Sequence, residues 1–411
     1  MSDQSQPKDY LDVLDGVRGL MALWVLYGHL LMAVTGTLPR WGSPAYAVDV
    51  FMFLSGFLMM YHWRLRQGNF ASLRSQALDF YVRRFFRIAP LYYVLLLIAL
   101  LFQDYFLQQR HFIEVTVQPP WANQQTEFTG PTDRSITLSS ILAHLTFVFG
   151  FIPKFASNNM LPDWSIGLEM QFYMFMPFMA LILARSGPFS MMIGSLLIVY
   201  ACERLFGLYL KPGPLGNFPQ PTLIFFKLNV FVAGLCFAEA YLCRKQLSTL
   251  TWFAAGMISL IGIGTPAVVC ILMLISLLFL DDGKRKVELI HRVLAGRVAR
   301  FFGDTSYCSY LLHMLFLYPT VYFLLHQSWF LNLGNAGRVA VGMVLIGVPV
   351  YVFSYLLHLS VERSSIEMGR NFLRALRGGG GKLFSWPASV TQISSTPLLG
   401  NQTPRVLFAA L

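Results

Sequence analysis

The sequence predicts an all-α polytopic membrane protein with about ten transmembrane helices and one short re-entrant or interfacial segment. Of its 411 residues, 55% are hydrophobic and only 12% are charged, whereas a soluble domain of this length carries about 25% charge. Apolar runs long enough to span a bilayer recur along the chain. Basic residues fall in short clusters between those runs, as the positive-inside rule expects.

Ten apolar runs are long enough to be predicted as spans. They begin near Leu14, Tyr46, Ile88, Trp164, Phe189, Thr222, Leu250, Pro266, Tyr307 and Val339. An eleventh run, 141–153, is only thirteen residues long, which is typical of a re-entrant or interfacial segment. If this run does not cross, the basic segments 64–87, 243–246, 281–300 and the chain after Arg363 share one side. Both termini are therefore predicted to be cytoplasmic.

The chain is predicted to comprise a cytoplasmic amino-terminal segment 1–12, a transmembrane domain 13–369 and a flexible cytoplasmic tail 370–411, which is rich in Gly, Ser, Thr and Pro. The polar stretch 106–137 is predicted to be a long extracytoplasmic loop. Because segment 1–12 is polar and acidic and no cleavage site follows it, the first apolar run is expected to remain as a span. The compact loops favour a bacterial inner membrane.

Composition also excludes several kinds of partner. The formal net charge is +11, but the basic residues form no single patch with interleaved aromatics, so no nucleic-acid partner is expected. The five cysteines lie in or beside apolar segments, with no CxxC pair and no metal-like spacing. We therefore expect no disulfide, no metal site and no permanently bound cofactor, with membrane lipids as neighbours. The sequence carries no signal for an oligomeric state.

The first apolar run contains an arginine and a histidine, Arg18 and His29. Ionisable side chains inside a span are costly, so this pair is a functional-site hypothesis by default. A separation of eleven residues places both on one side of a helix, with roughly 16 Å of helical rise between them. With the amino terminus inside, Arg18 is predicted near the cytoplasmic face and His29 toward the outer leaflet.

Two carboxylates are predicted at a depth similar to that of His29. Asp49 opens the second apolar run near its outer end, and Glu169 lies roughly 8 Å below Trp164 at the outer interface. A carboxylate partner can orient an imidazole as a general base. We therefore expect His29 to be the base and Asp49 or Glu169 to hold its tautomer. Each carboxylate could instead join helices or lie at a helix end.

On the inner side, Arg83, Arg84 and Arg87 precede the third predicted span. Arginine clusters at a membrane surface usually serve topology and lipid headgroups. Because Arg18 is predicted at the same level, the four guanidinium groups could also make bidentate contacts to the phosphates of a polyanion. The inner site is thus predicted to hold phosphate and the outer site to hold the base.

Four other residues are candidates for acceptor contact or for packing: Trp164, Ser55, Tyr173 and His313. Ser55 and Gly56 lie within a helix and outside any GxSxG motif, so close helix packing is favoured there. For His313, which is predicted to be buried mid-span, a packing role and a substrate role are equally supported.

These motifs resemble acyltransferase family 3 of the membrane O-acyltransferases, which includes bacterial O-antigen and other glycan acetylases. The resemblance rests on the stretches 14–29, 48–59, 80–93, 164–177 and 303–313, in that order. Arg18 and His29, with ten residues between them, match the family signature, and Arg84-Phe-Phe-Arg87 fits its second arginine motif.

The sequence departs from the family pattern around Glu169. Gly167 and Leu168 stand where a small residue and valine are usual, and Met170 occupies a position that is frequently acidic. Glu169 is therefore the single carboxylate of that motif.

The resemblance implies an acyl-CoA-dependent O-acyltransferase. It implies acyl-CoA, expected to be acetyl-CoA, as a cytoplasmic co-substrate and a hydroxyl of a carbohydrate or lipid-linked glycan as acceptor. It also implies that Arg18, Arg83, Arg84 and Arg87 bind the donor. Two alternatives stay open: a proton-coupled transporter or flippase that uses the buried ionisable groups as a relay, and a glycan polymerase.

Overall fold

This computed structural model describes residues 8–118, 136–156, 158–208, 213–279, 290 and 292–378. Helices make up nearly all of the regular structure in these residues. The helices are α1 (Lys8–Thr35), α2 (Pro44–Arg66), α3 (Leu73–Leu101), α4 (Gln103–Val117), α5 (Leu138–Leu145), α6 (Trp164–Leu205), α7 (Leu228–Leu242), α8 (Thr249–Ser259), α9 (Thr265–Phe279), α10 (Arg297–Asp304), α11 (Ser306–Leu325), α12 (Ser328–Leu331), α13 (Asn335–Gly342), α14 (Val348–Leu357) and α15 (Arg363–Gly378). Short parallel strands β1 (Gly207–Leu208) and β2 (Asn217–Phe218) pair after α6. The all-α prediction is confirmed.

Short connectors complete the architecture. Single 3₁₀ turns cover Gln67–Asn69, Val148–Phe151, Pro153–Phe155 and Ile224–Phe226, and π-helical turns cover Met343–Gly347 and His358–Glu362. The π-helical turns join α13, α14 and α15 into one continuous helical rod.

Six helical stretches of the described chain are long and apolar enough to cross a membrane: Val13–Thr35, Pro44–Asn69, Leu73–Leu101, Trp164–Leu205, Ser306–Leu325 and Asn335–Arg377. The prediction of ten full spans is not confirmed. Helices α7 and α9 have 15 residues each and α8 has 11. Fifteen residues rise about 22 Å, less than the roughly 30 Å of a hydrocarbon core. The predicted runs are longer than these helices because apolar residues continue into the turns at which the helices end.

Two predicted spans, beginning near Trp164 and Phe189, lie within the 42-residue helix α6. The helix is broken at Gly187, whose backbone has φ 77° and ψ 177°. Glycine tolerates this positive φ because it has no Cβ, and the following Pro188 lacks the amide hydrogen that would continue the ladder. The two predicted runs therefore correspond to two helical halves that meet at a sharp kink.

The polar stretch 106–137 was predicted as a loop, and its first part is instead helical. Helix α4 covers Gln103–Val117, and residues 119–135 lie outside the described chain. The helix is stabilised because Arg110 forms an ion pair of 2.7 Å with Glu114 one turn later. Phe106 and Ile113, on the helix face toward the protein, are buried.

The short run 141–153 begins within the eight-residue helix α5 and continues into 3₁₀ turns. These elements are too short to cross a membrane, as the length of the run predicts. The predicted tail begins within α15, which extends to Gly378. The remaining tail, 379–411, lies outside the described residues.

The core is built around α7, which is buried on every side between Asn229 and Tyr241. Helices α2 and α7 cross at Gly56 and Gly234. A Cβ added at Gly56 would lie 2.4 Å from the Phe231 carbonyl oxygen, and one at Gly234 would lie 2.3 Å from the Phe53 carbonyl oxygen. The crossing requires glycine because the two backbones are in direct contact. The predicted packing role of Gly56 fits this crossing.

We expect Gly234→Val to lower the midpoint of thermal unfolding strongly, because its side chain would meet backbone atoms that cannot rotate away. Overpacking a core costs about 1–3 kcal/mol, and backbone clashes cost more. Gly194→Val is the matched control, since nothing lies within 4 Å of a Cβ there. Fluorescence-detected size-exclusion chromatography after heating would compare the two variants, and equal midpoints would contradict the assigned crossing.

Candidate functional site

Two cavities adjoin in the helical core. The larger, called here the histidine cavity, has a volume of about 360 Å³, within the usual range of ligand sites. Its polar and aromatic walls are formed by His29, Ser43, Arg110, Asn159, Asp163, Trp164, Gln220, Tyr310 and Tyr318. The predicted residues His29 and Trp164 therefore line one cavity.

The smaller, called here the glutamate cavity, has a volume of about 50 Å³. Its polar lining is formed by Arg18, Ser55, Ser165, Glu169, Ser306, Tyr307 and Tyr310. Val48 and Tyr310 line both cavities, so they mark the boundary between the two. The Ser165 hydroxyl donates a hydrogen bond of 2.7 Å to the Tyr310 oxygen, which leaves the Tyr310 hydroxyl proton available to a ligand.

His29 is held by a second histidine. Its Nδ1 lies 3.1 Å from Nε2 of His313, and the two rings stack with centroids 5.1 Å apart. The other nitrogen of His313, Nδ1, lies 2.6 Å from the backbone oxygen of Tyr310. The two histidines and this carbonyl form a chain of hydrogen bonds between α1 and α11, and the backbone of Val25, one turn before His29, is a further partner of its ring.

This chain fixes the neutral tautomer of both rings. A carbonyl oxygen only accepts, so Nδ1 of His313 must carry its proton and its Nε2 must be an acceptor. Nδ1 of His29 must then be the donor, which leaves the lone pair of a neutral His29 on Nε2. That nitrogen has no hydrogen-bond partner within the described parts of the chain. His29 therefore presents a basic nitrogen to the histidine cavity that it lines.

The predicted carboxylate partners lie elsewhere, so the expected pairing of His29 with Asp49 or Glu169 is corrected. The Asp49 Oδ1 atom accepts from the Lys227 ammonium at 2.7 Å, an ion pair between α2 and the residue before α7. Glu169 accepts from the hydroxyls of Ser55, at 3.1 Å, and Tyr173. Glu169, which was predicted at the depth of His29, shares the glutamate cavity with Arg18 instead, because helix periodicity does not give the neighbours of a side chain in the helix bundle.

Three of the four predicted donor-binding arginines converge near Glu169. Arg18 shares the glutamate cavity with it, and Arg84 and Arg87 lie within electrostatic range of its carboxylate. Arg18 and Arg87 have acidic neighbours at the limit of an ion pair, Asp15 and Glu362 respectively, each at 3.9 Å. Arg18 of α1 and Arg84 and Arg87 of α3 thus lie near one carboxylate, that of Glu169.

Arg84 differs from its neighbours because it has no ion pair to the described residues. Its guanidinium carbon lies 5.8 Å from the ring centre of Phe80 and 5.7 Å from that of Tyr173. Its Nε atom is buried without a hydrogen-bond partner in the described chain. Buried polar groups are normally satisfied, so this guanidinium is suited to an anionic ligand.

Arg83 is held by a different carboxylate, Asp79. Its Nε donates to Asp79 Oδ2 at 2.8 Å, and the same carboxylate contacts Arg66 at 3.4 Å and Arg377 at 2.8 Å. Adjacent residues on a helix are about 100° apart, so Arg83 and Arg84 face different neighbours. Arg83 is paired with Asp79, and a small pocket lined by Arg66, Asp79, Arg83 and Arg84 connects it with the arginines near Glu169.

Sequence reasoning missed several cavity residues, among them Tyr310 and Asp163. Tyr310 precedes His313 by three residues and so shares its helix face, which was an available signal. Asp163 stands directly before Trp164 at the start of α6 and has 2% of its surface exposed, which single-sequence periodicity does not reveal.

The five cysteines are free thiols. Among the described residues, no group of three or more His, Cys, Asp or Glu side chains could hold a metal ion.

Comparison with known families gives one match. A family model described as an acyltransferase domain matches residues 11–359, which include every stretch that carries the resemblance stated above. No curated protein and no solved structure matches the chain.

Proposed function

The chain belongs to acyltransferase family 3 and is an integral membrane protein, and on this premise we propose that it transfers an acyl group from acyl-CoA to a hydroxyl of a carbohydrate or lipid-linked glycan. The acyl group is acetyl, and the membrane is a bacterial inner membrane with both termini cytoplasmic. The single observation that carries the proposal is the free Nε2 of His29, which lines a polar cavity. This cavity adjoins a second one that is lined by Arg18 and Glu169.

The chemistry needs one base. His29 Nε2 removes the proton of the acceptor hydroxyl as the oxygen attacks the thioester carbonyl. The new C–O bond forms, a tetrahedral oxyanion develops, and the C–S bond then breaks to release the CoA thiolate. The imidazolium returns its proton to the thiolate, so the products are an ester and free CoA. The proton held on Nδ1 does not leave during the reaction, because His313 Nε2 accepts it as a hydrogen bond.

The developing oxyanion forms where the two cavities adjoin. The Tyr310 hydroxyl lines both cavities and already accepts from Ser165. Its own proton can therefore be directed at the oxyanion, which is where a preorganised donor contributes most to the rate.

The donor's phosphates are assigned to the arginine side. Arg84 supplies a guanidinium without an ion pair to the described residues, and Arg18 and Arg87 have only distant acidic neighbours. Guanidinium groups bind phosphate oxygens in a bidentate manner. Glu169, held by Ser55 and Tyr173, balances this positive charge. The thioester would then extend from the arginines through the glutamate cavity toward His29.

The test is a transfer assay with purified protein and radiolabelled acetyl-CoA. We expect Arg84→Ala to reduce kcat/KM for acetyl-CoA by about 10- to 100-fold, the usual loss for a hydrogen bond to a charged group. Arg74→Ala is the matched control, because Arg74 is an exposed arginine on the same helix.

Two results would contradict the proposal. One is wild-type protein that neither binds nor consumes acetyl-CoA, which would favour a transporter or a glycan polymerase. The other is equal donor kinetics in the Arg84 and Arg74 variants, which would remove the phosphate contact from Arg84.

A further inference from the structure

A polar cluster that the proposed mechanism does not use lies on the wall of the histidine cavity. It is centred on Asp163, which precedes α6 and is almost fully buried. Its Oδ2 atom accepts from the Tyr92 hydroxyl at 2.8 Å and from Asn159 Nδ2 at 2.8 Å, and it lies 3.2 Å from His144 Nδ1. One carboxylate oxygen is thus held by three side chains.

The direction of these hydrogen bonds is determined by the surroundings. The Asn159 Oδ1 atom accepts from the Leu161 amide at 2.7 Å, so the nitrogen of that side chain must face Asp163. Tyr92 donates its hydroxyl proton, and both residues are fully or nearly fully buried. The carboxylate is therefore locked in one orientation before any ligand binds.

The second oxygen of the carboxylate, Oδ1, has no hydrogen-bond partner in the described part of the chain. Asp163 lines the histidine cavity together with His29 and Trp164. A carboxylate offers about four lone-pair positions, and buried polar atoms are almost always satisfied. An unused, oriented acceptor on a cavity wall points to a ligand that supplies donors.

We propose that Asp163 binds hydroxyl groups of the acceptor and so selects a neutral sugar ring as the substrate class. This proposal rests on the acyl-transfer function proposed above. An ionised carboxylate only accepts hydrogen bonds, so the ligand must carry O–H or N–H donors there. The adjacent Trp164 and the nearby Tyr310 and Tyr318 give the cavity the aromatic walls common in ligand sites.

Charge argues against an acidic acceptor. The other strongly charged side chain on the cavity wall, Arg110, forms an ion pair of 2.7 Å with Glu114, so its charge is balanced within α4. Within the described chain, Tyr92, Asn159 and His144 contact Asp163 at Oδ2 alone. A carboxylate or phosphate next to Oδ1 would meet like charge, whereas a sugar hydroxyl would form a charge-assisted hydrogen bond.

The experiment uses full-length protein in lipid nanodiscs, acetyl-CoA as donor, and methyl β-D-glucoside with its monodeoxy analogues as acceptors. We expect Asp163→Asn to raise the KM for the glucoside by about 10-fold or more. Equilibrium binding of acetyl-CoA should be retained, because the proposed donor arginines do not line the histidine cavity. With wild-type protein, one deoxy analogue should show a KM that is raised by a similar factor. With Asp163→Asn, that analogue should show no further rise, because the substitution and the missing hydroxyl remove the same hydrogen bond.

Asn158→Ala is the matched control. Asn158 neighbours this cluster and donates to Ser140 at 2.9 Å, but it does not line the histidine cavity. We expect its acceptor KM to equal that of wild type. Saturation-transfer NMR with methyl β-D-glucoside measures binding without turnover and should lose signal in Asp163→Asn alone.

The possible failures are distinguishable. If Asp163→Asn leaves the glucoside KM unchanged, or weakens acetyl-CoA binding as much as glucoside binding, Asp163 has only a structural role. If wild type consumes acetyl-CoA but none of the glucosides bind or accept, the sugar-hydroxyl assignment is overturned while the proposed function stands. If wild type consumes no acetyl-CoA, the proposed function itself fails.

Discussion

Replacing His29 with alanine should lower acyl transfer by about 10²- to 10⁴-fold, the contribution typical of a general base. The loss should appear in kcat, because the base acts on the hydroxyl proton as the C–O bond forms. Donor binding should be preserved, since Arg18, Arg84 and Arg87 do not line the histidine cavity. The measurement is single-turnover acetyl transfer alongside equilibrium binding of acetyl-CoA.

His111→Ala is the matched control for this substitution, because His111 is an exposed histidine on α4. Its transfer rate should equal that of wild type. His29 is partly accessible from its cavity, so its truncation should leave the thermal midpoint close to that of wild type. Transfer at the wild-type rate by His29→Ala would overturn the assignment of the base.

The fold was predictable where a run of apolar residues coincides with one uninterrupted helix, as in α1, α2 and α11. It was not predictable where local turns cut such a run. The chain between α8 and α9 turns at Gly262, with φ 86°, although the surrounding residues are apolar. The buried helix α7 could be recognised as hydrophobic on all sides, but its crossing with α2 at Gly56 and Gly234 could not be predicted.

Only part of the candidate site was predictable from the sequence. The spacing of Arg18 and His29 placed them toward opposite ends of α1, and they line different cavities. The partner of His29 was not predictable, because it depends on which face of α11 turns toward α1. Sequence chemistry favoured a carboxylate, since an Asp or Glu commonly orients a catalytic imidazole. The helix bundle instead brings His313 to this position.

Replacing His313 with phenylalanine should therefore lower transfer by about 10- to 100-fold, because the imidazolium of His29 loses an acceptor for its Nδ1 proton. Phenylalanine keeps a ring of similar size in this buried position, which separates loss of the hydrogen bond from loss of packing. His313→Gln should retain more activity than His313→Phe, since an amide oxygen can still accept from His29.

A double variant distinguishes positioning from general destabilisation. If His313 acts only through His29, its effect must vanish when the base is absent, so His29→Ala with His313→Phe should transfer no more slowly than His29→Ala alone. A structural role for His313 would instead add its loss to that of His29→Ala and lower the thermal midpoint in both backgrounds. Additive losses would therefore contradict the hydrogen-bonded chain from the Tyr310 carbonyl through His313 to His29 as the element that positions the base.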